Sequence, residues 1–301
     1  MNNKLIVILG PTASGKTDLS VKLAKKYNGE IVSADSRQIY RGLNIGSGKI
    51  TKKEMQGIPH YLLDVASPKQ KFTVAHYQKL ALAAIKKIQR RGKLPFLVGG
   101  SGFYIQSVVD GIVIPAVKPN WKLRQQLEQK SAEELFLMLQ KLDPMRAKNI
   151  DSKNPRRLVR AIEIVKATGQ PVPQHDRSQR YSVENGRTLL QIGIKKSSPE
   201  LKLLIAKRLQ KRLKAMIAEV KKLHADGLSF KRLEEFGLEY RFVARLLQGS
   251  GGQANYEKTI QSIQKESEHF AKRQMTWFKR DRRIHWISSQ KEAKSLVKKF
   301  L

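Results

Sequence analysis

The chain contains no cysteine, so disulfides and thiolate metal sites are excluded and its chemistry proceeds without sulfur. Negative charge is scarce as well: 25 Asp and Glu stand against 59 Lys and Arg, a net charge of +34. An imbalance of this size points to a polyanionic partner, nucleic acid before an anionic membrane. No apolar run approaches the roughly 18 residues needed to cross a bilayer as a helix. The opening MNNKLIVILG lacks the longer apolar region and cleavage site of a secretory signal. No membrane association and a cytoplasmic location are therefore expected. Prolines number 11 and apolar residues make up 40%, the balance of a folded chain rather than a disordered one. With 301 residues there is enough chain for one large domain or two modest ones.

What is present begins with an alternation of strands and helices. Residues 5–9 are uniformly apolar and read as a buried strand, and 16–26 follow with Leu19, Leu23 and Ala24 on a helical stripe. Residues 30–33 read as a second strand and 94–98 as a third. Between them, 74–91 form a long helix with Thr73 as N-cap and Ala81, Leu82, Ile85 and Ile88 turned inward. Buried strands separated by helices imply a parallel sheet covered on both faces. Pro115 and Pro119 break the pattern, and 122–150 read as two or three short helices without a strand. Asn154 and Pro155 start another helix that Gly169 ends. Residues 188–194 read as a returning strand, and from Pro199 the chain is mostly helical and basic. The expected fold is α/β: a core from 1–118 and 151–301, interrupted by a helical insertion at 119–150.

Several positions in this frame carry chemistry. GPTASGKT, residues 10–17, has the G-x-x-x-x-G-K-[ST] spacing of a phosphate loop and lies between a buried strand and an amphipathic helix. Its backbone N–H groups can wrap a phosphate while the helix N-terminus faces it. Lys16 then reaches the outer oxygens, and Thr17 sits on Mg²⁺. Asp35 follows the second strand, and ligands of open parallel sheets lie outside the carboxyl ends of the strands, so it faces the same crevice. A carboxylate there is repelled by a diphosphate unless a cation intervenes or it serves as a base; taken alone, it also suits a turn or helix cap. Gln38 carries an amide able to pair with an adenine edge. The turn GGSGFY, 99–104, suits a base or a phosphate as well as a plain strand-to-helix junction.

Basic helices come later. Arg156, Arg157 and Arg160 ride one helix, and residues 201–230 hold eight Lys and Arg against two acids, with Arg208 and Arg212 one turn apart. In so basic a chain these faces suit RNA phosphates, with binding that weakens as salt rises. KRQMTWFKR, 272–280, interleaves cations with aromatics. Either it stacks on and grips single-stranded RNA, or Trp277 and Phe278 pack into the core beneath exposed cations.

GPTASGKT, ADSRQIYRGLNIGSGK, GIPHYLLD, GGSGFYIQ, NPRRLVRAIEI and KRQMTWFKRD, in this order across residues 4–285, resemble the bacterial tRNA dimethylallyltransferase family. The resemblance implies a phosphate-loop, nucleoside-kinase-like core with a helical insertion, working as a monomer with Mg²⁺. It also implies the reaction: a dimethylallyl group moves from dimethylallyl diphosphate to the exocyclic N6 amine of the adenosine just 3′ of the anticodon. Gly10, Thr12, Ala13, Ser14, Gly15, Lys16 and Thr17 would hold the diphosphate. Asp35 would be the general base, with Thr12, Lys16 and Arg208 serving the departing diphosphate. Ser36, Arg37 and Gln38 would contact the target nucleotide, with Ser101 beside it. Arg156, Arg157, Arg160, Lys272, Arg273, Gln274, Lys279 and Arg280 would grip the anticodon stem-loop. Two departures stand out: Ser101 replaces the usual Thr, and GLEYR at 237–241 replaces a stretch commonly reading Gly-Tyr-Lys-Glu.

Two rivals share parts of this pattern. An ATP-dependent small-molecule or nucleotide kinase would use the same loop, but leaves the charge and the KRQMTWFKRD block unexplained. A non-catalytic RNA-binding protein with a decayed loop is opposed by the intact Gly10, Gly15, Lys16, Thr17 and Asp35.

Overall fold

The computed structural model describes residues 3–173, 189–249 and 253–301. Six strands make one sheet: β1 (Leu5–Leu9), β2 (Gly29–Ala34), β3 (His60–Tyr61), β4 (Leu94–Gly99), β5 (Leu189–Ile194) and β6 (Ile284–Ile287). Their order is β3-β2-β4-β1-β5-β6 and every pairing is parallel. β1 is apolar at each position because both faces are covered: Leu5, Val7 and Leu9 enter one core, Ile6 and Ile8 the other. The first core is completed by α3 (Val74–Arg90), α4 (Gly102–Val109), α9 (Ser198–Ala225), α10 (Phe230–Glu235), α11 (Leu238–Gln248) and α12 (Gln253–Phe278). On the second lie α1 (Lys16–Lys26), the short α2 (Lys52–Met55) through Met55, and α13 (Gln290–Phe300). Thr73 caps α3 as expected, accepting from the His76 N–H.

The register decides where a ligand can sit. Gly99 of β4 pairs with Leu9 of β1 on one side and Ala34 of β2 on the other. Gly10, Asp35 and Gly100 therefore leave the sheet side by side, at the carboxyl ends of three adjacent strands. Gly99 lies so close to the Ala34 carbonyl that no Cβ could fit between them.

Two strands lie outside the sequence expectation. β3 has two residues, and β6 falls within a region expected to be mostly helical. In β6, Ile284 and Ile287 are buried by pairing with β5 while His285 is exposed. Such edge strands are created by their partner rather than by a run of their own. Thr188, expected to open the fifth strand, lies outside the described residues.

The chain divides into two compact units, Met1–Val109 with Tyr181–Leu301, and Asp110–Arg180. The second holds α5 (Trp121–Glu128), α6 (Ala132–Leu142), α7 (Pro144–Ala147) and α8 (Pro155–Thr168). The sequence alone places the 154–168 helix in the α/β core and limits the insertion to 119–150. Instead, Leu158 and Ile162 of α8 share a buried cluster with Leu135 and Leu139 of α6. That apolar face draws α8 into the helical unit. Its ends are as read: the Asn154 side chain accepts from the Arg157 N–H, and Gly169 closes the helix at φ 65°.

Candidate active site

The phosphate loop follows from the end of β1. Gly10 (φ 150°), Ala13 (φ 62°) and Gly15 (φ 90°) curl the backbone before α1 begins at Lys16, the kind of geometry from which anion-binding nests are made. The Ser14 hydroxyl is buried without a hydrogen-bond partner among the described residues, a group suited to an anion held by the loop. Lys16 Nζ donates to the Pro11 carbonyl at 2.6 Å. Burial, reinforced by Arg208, pulls the Lys16 ammonium down to about 7, against the opposing pull of Asp35. Arg208 reaches in from α9, its guanidinium against Gly48 and its Nη1 3.5 Å from Thr12 Oγ1. Burial and then Arg212 lower Arg208 to about 10, so it remains a cation at neutral pH.

Asp35 lines the same cavity as Lys16, Thr17 and Arg208. The turn reading of this residue holds, and it occupies only one of the two carboxylate oxygens. Its Oδ1 accepts from the N–H groups of Arg37 (2.9 Å) and Gln38 (3.3 Å) and so shapes the turn. Its other oxygen makes no hydrogen bond among the described residues. The Ser36 N–H donates to Ser101 Oγ at 3.0 Å, and the Ser101 N–H donates to the Ala34 carbonyl at 3.1 Å. Ser101 thus fastens the β4 turn to the 35–38 turn. Gln38 Nε2 makes long contacts to the carbonyls of Ser47 (3.5 Å) and Gly48 (3.3 Å). Arg37 Nη1 pairs with Glu239 at 2.9 Å, and its guanidinium stands over the Phe270 ring.

Three expected contacts have other duties here. Gln274, expected on RNA, is 6% exposed: its Oε1 accepts the Thr12 N–H and its Nε2 donates to the Gly100 carbonyl, both at 2.8 Å. The helical period of α12 explains this, since Ala271, Gln274 and Phe278 fall on one buried face. The Thr12 N–H is consequently committed to Gln274 rather than to an anion, and the Thr12 hydroxyl is the group it offers. Arg160, also expected on RNA, pairs with Glu163 and donates to the Val117 carbonyl at 3.0 Å. Burial alone would raise the Glu163 carboxyl; hydrogen bonds from Arg124, Arg160 and the Asn120 N–H outweigh it and hold it at about 2.

Arg156, Arg157, Lys272, Arg273, Lys279 and Arg280 are exposed, with Arg273 paired to Glu266 at 2.7 Å. Phe278 is core, while partly buried Trp277 packs on Gly102 and meets Phe103 edge-on. The core reading of the aromatic block therefore holds, with the flanking cations left exposed. Sequence reasoning did not single out Glu219, whose carboxylate accepts from three successive N–H groups, Asn44 to Gly46. The available signal was that it is one of two acids in the basic stretch 201–230.

For Mg²⁺ the protein ligand would be Thr17, at the first turn of α1 and lining the cavity. This ion commonly takes one or two protein oxygens and completes its shell with phosphate and water, so the donor set fits.

Residues 38–281 match the IPP transferase family model. A tRNA dimethylallyltransferase from Carboxydothermus hydrogenoformans is 40% identical, over 97% of this chain and 94% of its own. The chain belongs to the tRNA dimethylallyltransferase family. Among solved structures, the tRNA isopentenylpyrophosphate transferase of Bacillus halodurans is similar with a TM-score of 0.69 and 36% identity, covering 95% of this chain and 90% of that one. A eukaryotic dimethylallyltransferase, described as acting on tRNA, is similar with a TM-score of 0.74 and 25% identity, covering 91% of this chain and 69% of its own. In this member of the dimethylallyltransferase family, the departing GLEYR segment is no surface feature: Glu239 lines the cavity and Tyr240 is fully buried.

Proposed function

We propose that the chain transfers a dimethylallyl group from dimethylallyl diphosphate to the N6 amine of the adenosine just 3′ of a tRNA anticodon, releasing diphosphate. One observation carries the reading: Asp35, a potential base, shares a cavity with Lys16 and Arg208, two cations beside a phosphate loop. An adenine amine is a weak nucleophile because its lone pair is delocalised into the ring. The allylic carbon becomes a good electrophile once diphosphate can leave. The bond from N6 to the allylic carbon forms as the carbon–oxygen bond breaks, and the electron pair stays with the diphosphate. The amine proton passes to the Asp35 carboxylate, whose unpaired oxygen is the accepting atom. Lys16, Arg208, the Thr12 hydroxyl and the loop amides stabilise the departing charge. Mg²⁺, when held by Thr17, adds to that neutralisation.

The acceptor adenosine must leave its stack to present its amine. Exposed Arg156, Arg157, Lys272, Lys279 and Arg280 are suited to the phosphates of the anticodon stem-loop. The reading includes a monomeric enzyme at work in the cytoplasm; among the described residues no helix is long and apolar enough to cross a membrane.

The test is to incubate the protein with unmodified tRNA, Mg²⁺ and labelled dimethylallyl diphosphate or labelled ATP. Label from the prenyl donor should enter tRNA. Transfer from ATP alone would make the protein a kinase, and RNA binding without transfer from either donor would make it a binding protein.

A further inference from the structure

The GLEYR segment has no part in the reaction as described, yet Glu239 lines the end of the cavity that would meet the target base, and buried Tyr240 holds a loop whose Ser47 and Gly48 line it too. Glu239 Oε2 accepts from Arg37 Nη1 at 2.9 Å, in a pair only 21% and 12% exposed. The next residue, Tyr240, donates its hydroxyl to Glu219 Oε1 at 2.7 Å and accepts from the Ser47 N–H at 3.1 Å. Glu219 in turn accepts from the N–H groups of Asn44 (2.9 Å), Ile45 (2.6 Å) and Gly46 (3.1 Å). One carboxylate and one phenol thus hold four successive N–H groups. The Tyr240 ring also lies against Gly46, where a Cβ would come within 2.7 Å of it. The held loop then turns the Ser47 and Gly48 carbonyls toward Gln38 Nε2.

The two ends of the Gln38 amide are alike in shape and opposite in hydrogen bonding. Carbonyls facing Nε2 decide which way round the amide lies. An adenine edge offers a donor and an acceptor, whereas guanine offers two acceptors in the same place. A loop that fixes the amide therefore bears on which base is accepted.

We propose that Glu239 and Tyr240 are positioning residues for target-base recognition: Glu239 holds Arg37, and Tyr240, with Glu219, holds the 44–48 loop that orients Gln38. The proposal rests on a tRNA adenosine being the acceptor. It is tested with Tyr240→Phe, which keeps the ring and removes the hydroxyl, and with Glu239→Gln. Steady-state transfer to an anticodon stem-loop is measured, along with inhibition by the same stem-loop carrying guanosine at the target position. Melting is followed in parallel, which separates loss of folded protein from loss of recognition.

Each variant should lose about tenfold in kcat/KM for RNA, with KM for the prenyl donor unchanged. Tyr240→Phe should also narrow the preference for adenosine over guanosine about tenfold. Combined with Gln38→Ala, it should be no worse than Gln38→Ala alone. Wild-type RNA kinetics in both variants, equal losses for donor and RNA, or additive losses in the double variant would overturn the proposal. No transfer by the unaltered chain would instead overturn the reading beneath it.

Discussion

The two ends of the cavity are built in opposite ways. The end proposed for the diphosphate is largely one stretch, residues 10–17, curled by its own backbone, with Arg208 and Gln274 added from α9 and α12. The end proposed for the target base, residues 35–38, is assembled from afar: Ser101, the 44–48 loop, Glu219 and Glu239 each fix a part of it. The contrast follows from what each end would hold. A phosphate is a compact charge that converging amides and cations satisfy from many directions. A base is planar, with a fixed order of donors and acceptors along each edge, and reading it requires side chains in one orientation.

The largest effect should come from separating the two roles of Asp35, shaping the turn and taking the proton. Asp35→Asn keeps an oxygen for the N–H groups of Arg37 and Gln38 and removes the base. Turnover should fall by about 10²–10⁴ while tRNA affinity, measured by filter binding, stays within a few-fold. Loss of tRNA affinity comparable to the loss of turnover would mean that Asp35 serves the turn alone. The base end would then be structural, and the contrast between the ends would collapse.

How legible each end is in the sequence follows the same division. The phosphate loop can be read because its spacing, strand and helix are contiguous. Asp35 can be placed because parallel strands end at a common crevice. Glu219 and Tyr240 act across 173 to 193 residues of sequence separation, and no local pattern connects them to the loop they hold. Gln274 and Arg160 read as RNA contacts in the sequence, yet each has protein partners in the structure, and the reason differs. Their neighbours are exposed cations, and the local charge pattern resembles an RNA-binding face. The helical period of α12 already places Gln274 in line with Ala271 and Phe278, a buried face. No comparable signal reveals that Glu163, one turn beyond Arg160, is buried and in need of cations. The edge strands β3 and β6 escape because pairing, not composition, makes them strands.

A second prediction sharpens the diphosphate end through its pH dependence. Lys16 is lowered to about 7, so below that pH it is already charged, and above it the ammonium is progressively lost. A bound diphosphate favours the charged form, so binding above pH 7 must take up a proton. The Lys16 contribution to affinity for inorganic diphosphate, taken as the difference from Lys16→Gln so that the ligand's own protonation cancels, should be flat below about pH 7. Above it, that contribution should fall by up to about tenfold per pH unit, as one coupled proton requires. Calorimetry in buffers of different ionisation enthalpy should register the uptake. Lys16→Gln should bind more weakly and lose this dependence. Arg208, near 10, stays charged through the window and should contribute no slope.

The smallest effect concerns whether the two ends are independent. Gln274 ties Thr12 of the phosphate loop to Gly100, next to the Ser101 that fastens the 35–38 turn. Gln274→Met keeps the length of the side chain and removes both hydrogen bonds. It leaves a part-buried N–H and a buried carbonyl without their partner, at a cost of about 1–3 kcal/mol, measurable by urea unfolding at constant m. Because the staple joins both turns, KM for the prenyl donor and for tRNA should rise together by roughly threefold to tenfold, about 0.6–1.4 kcal/mol, since only part of that cost bears on either ligand. In Arg37→Ala, by contrast, the change should be confined to RNA. A Gln274→Met protein with a raised donor KM and an unaltered tRNA KM would show that Gly100 does not transmit the displacement, and that the ends are held separately despite the shared residue.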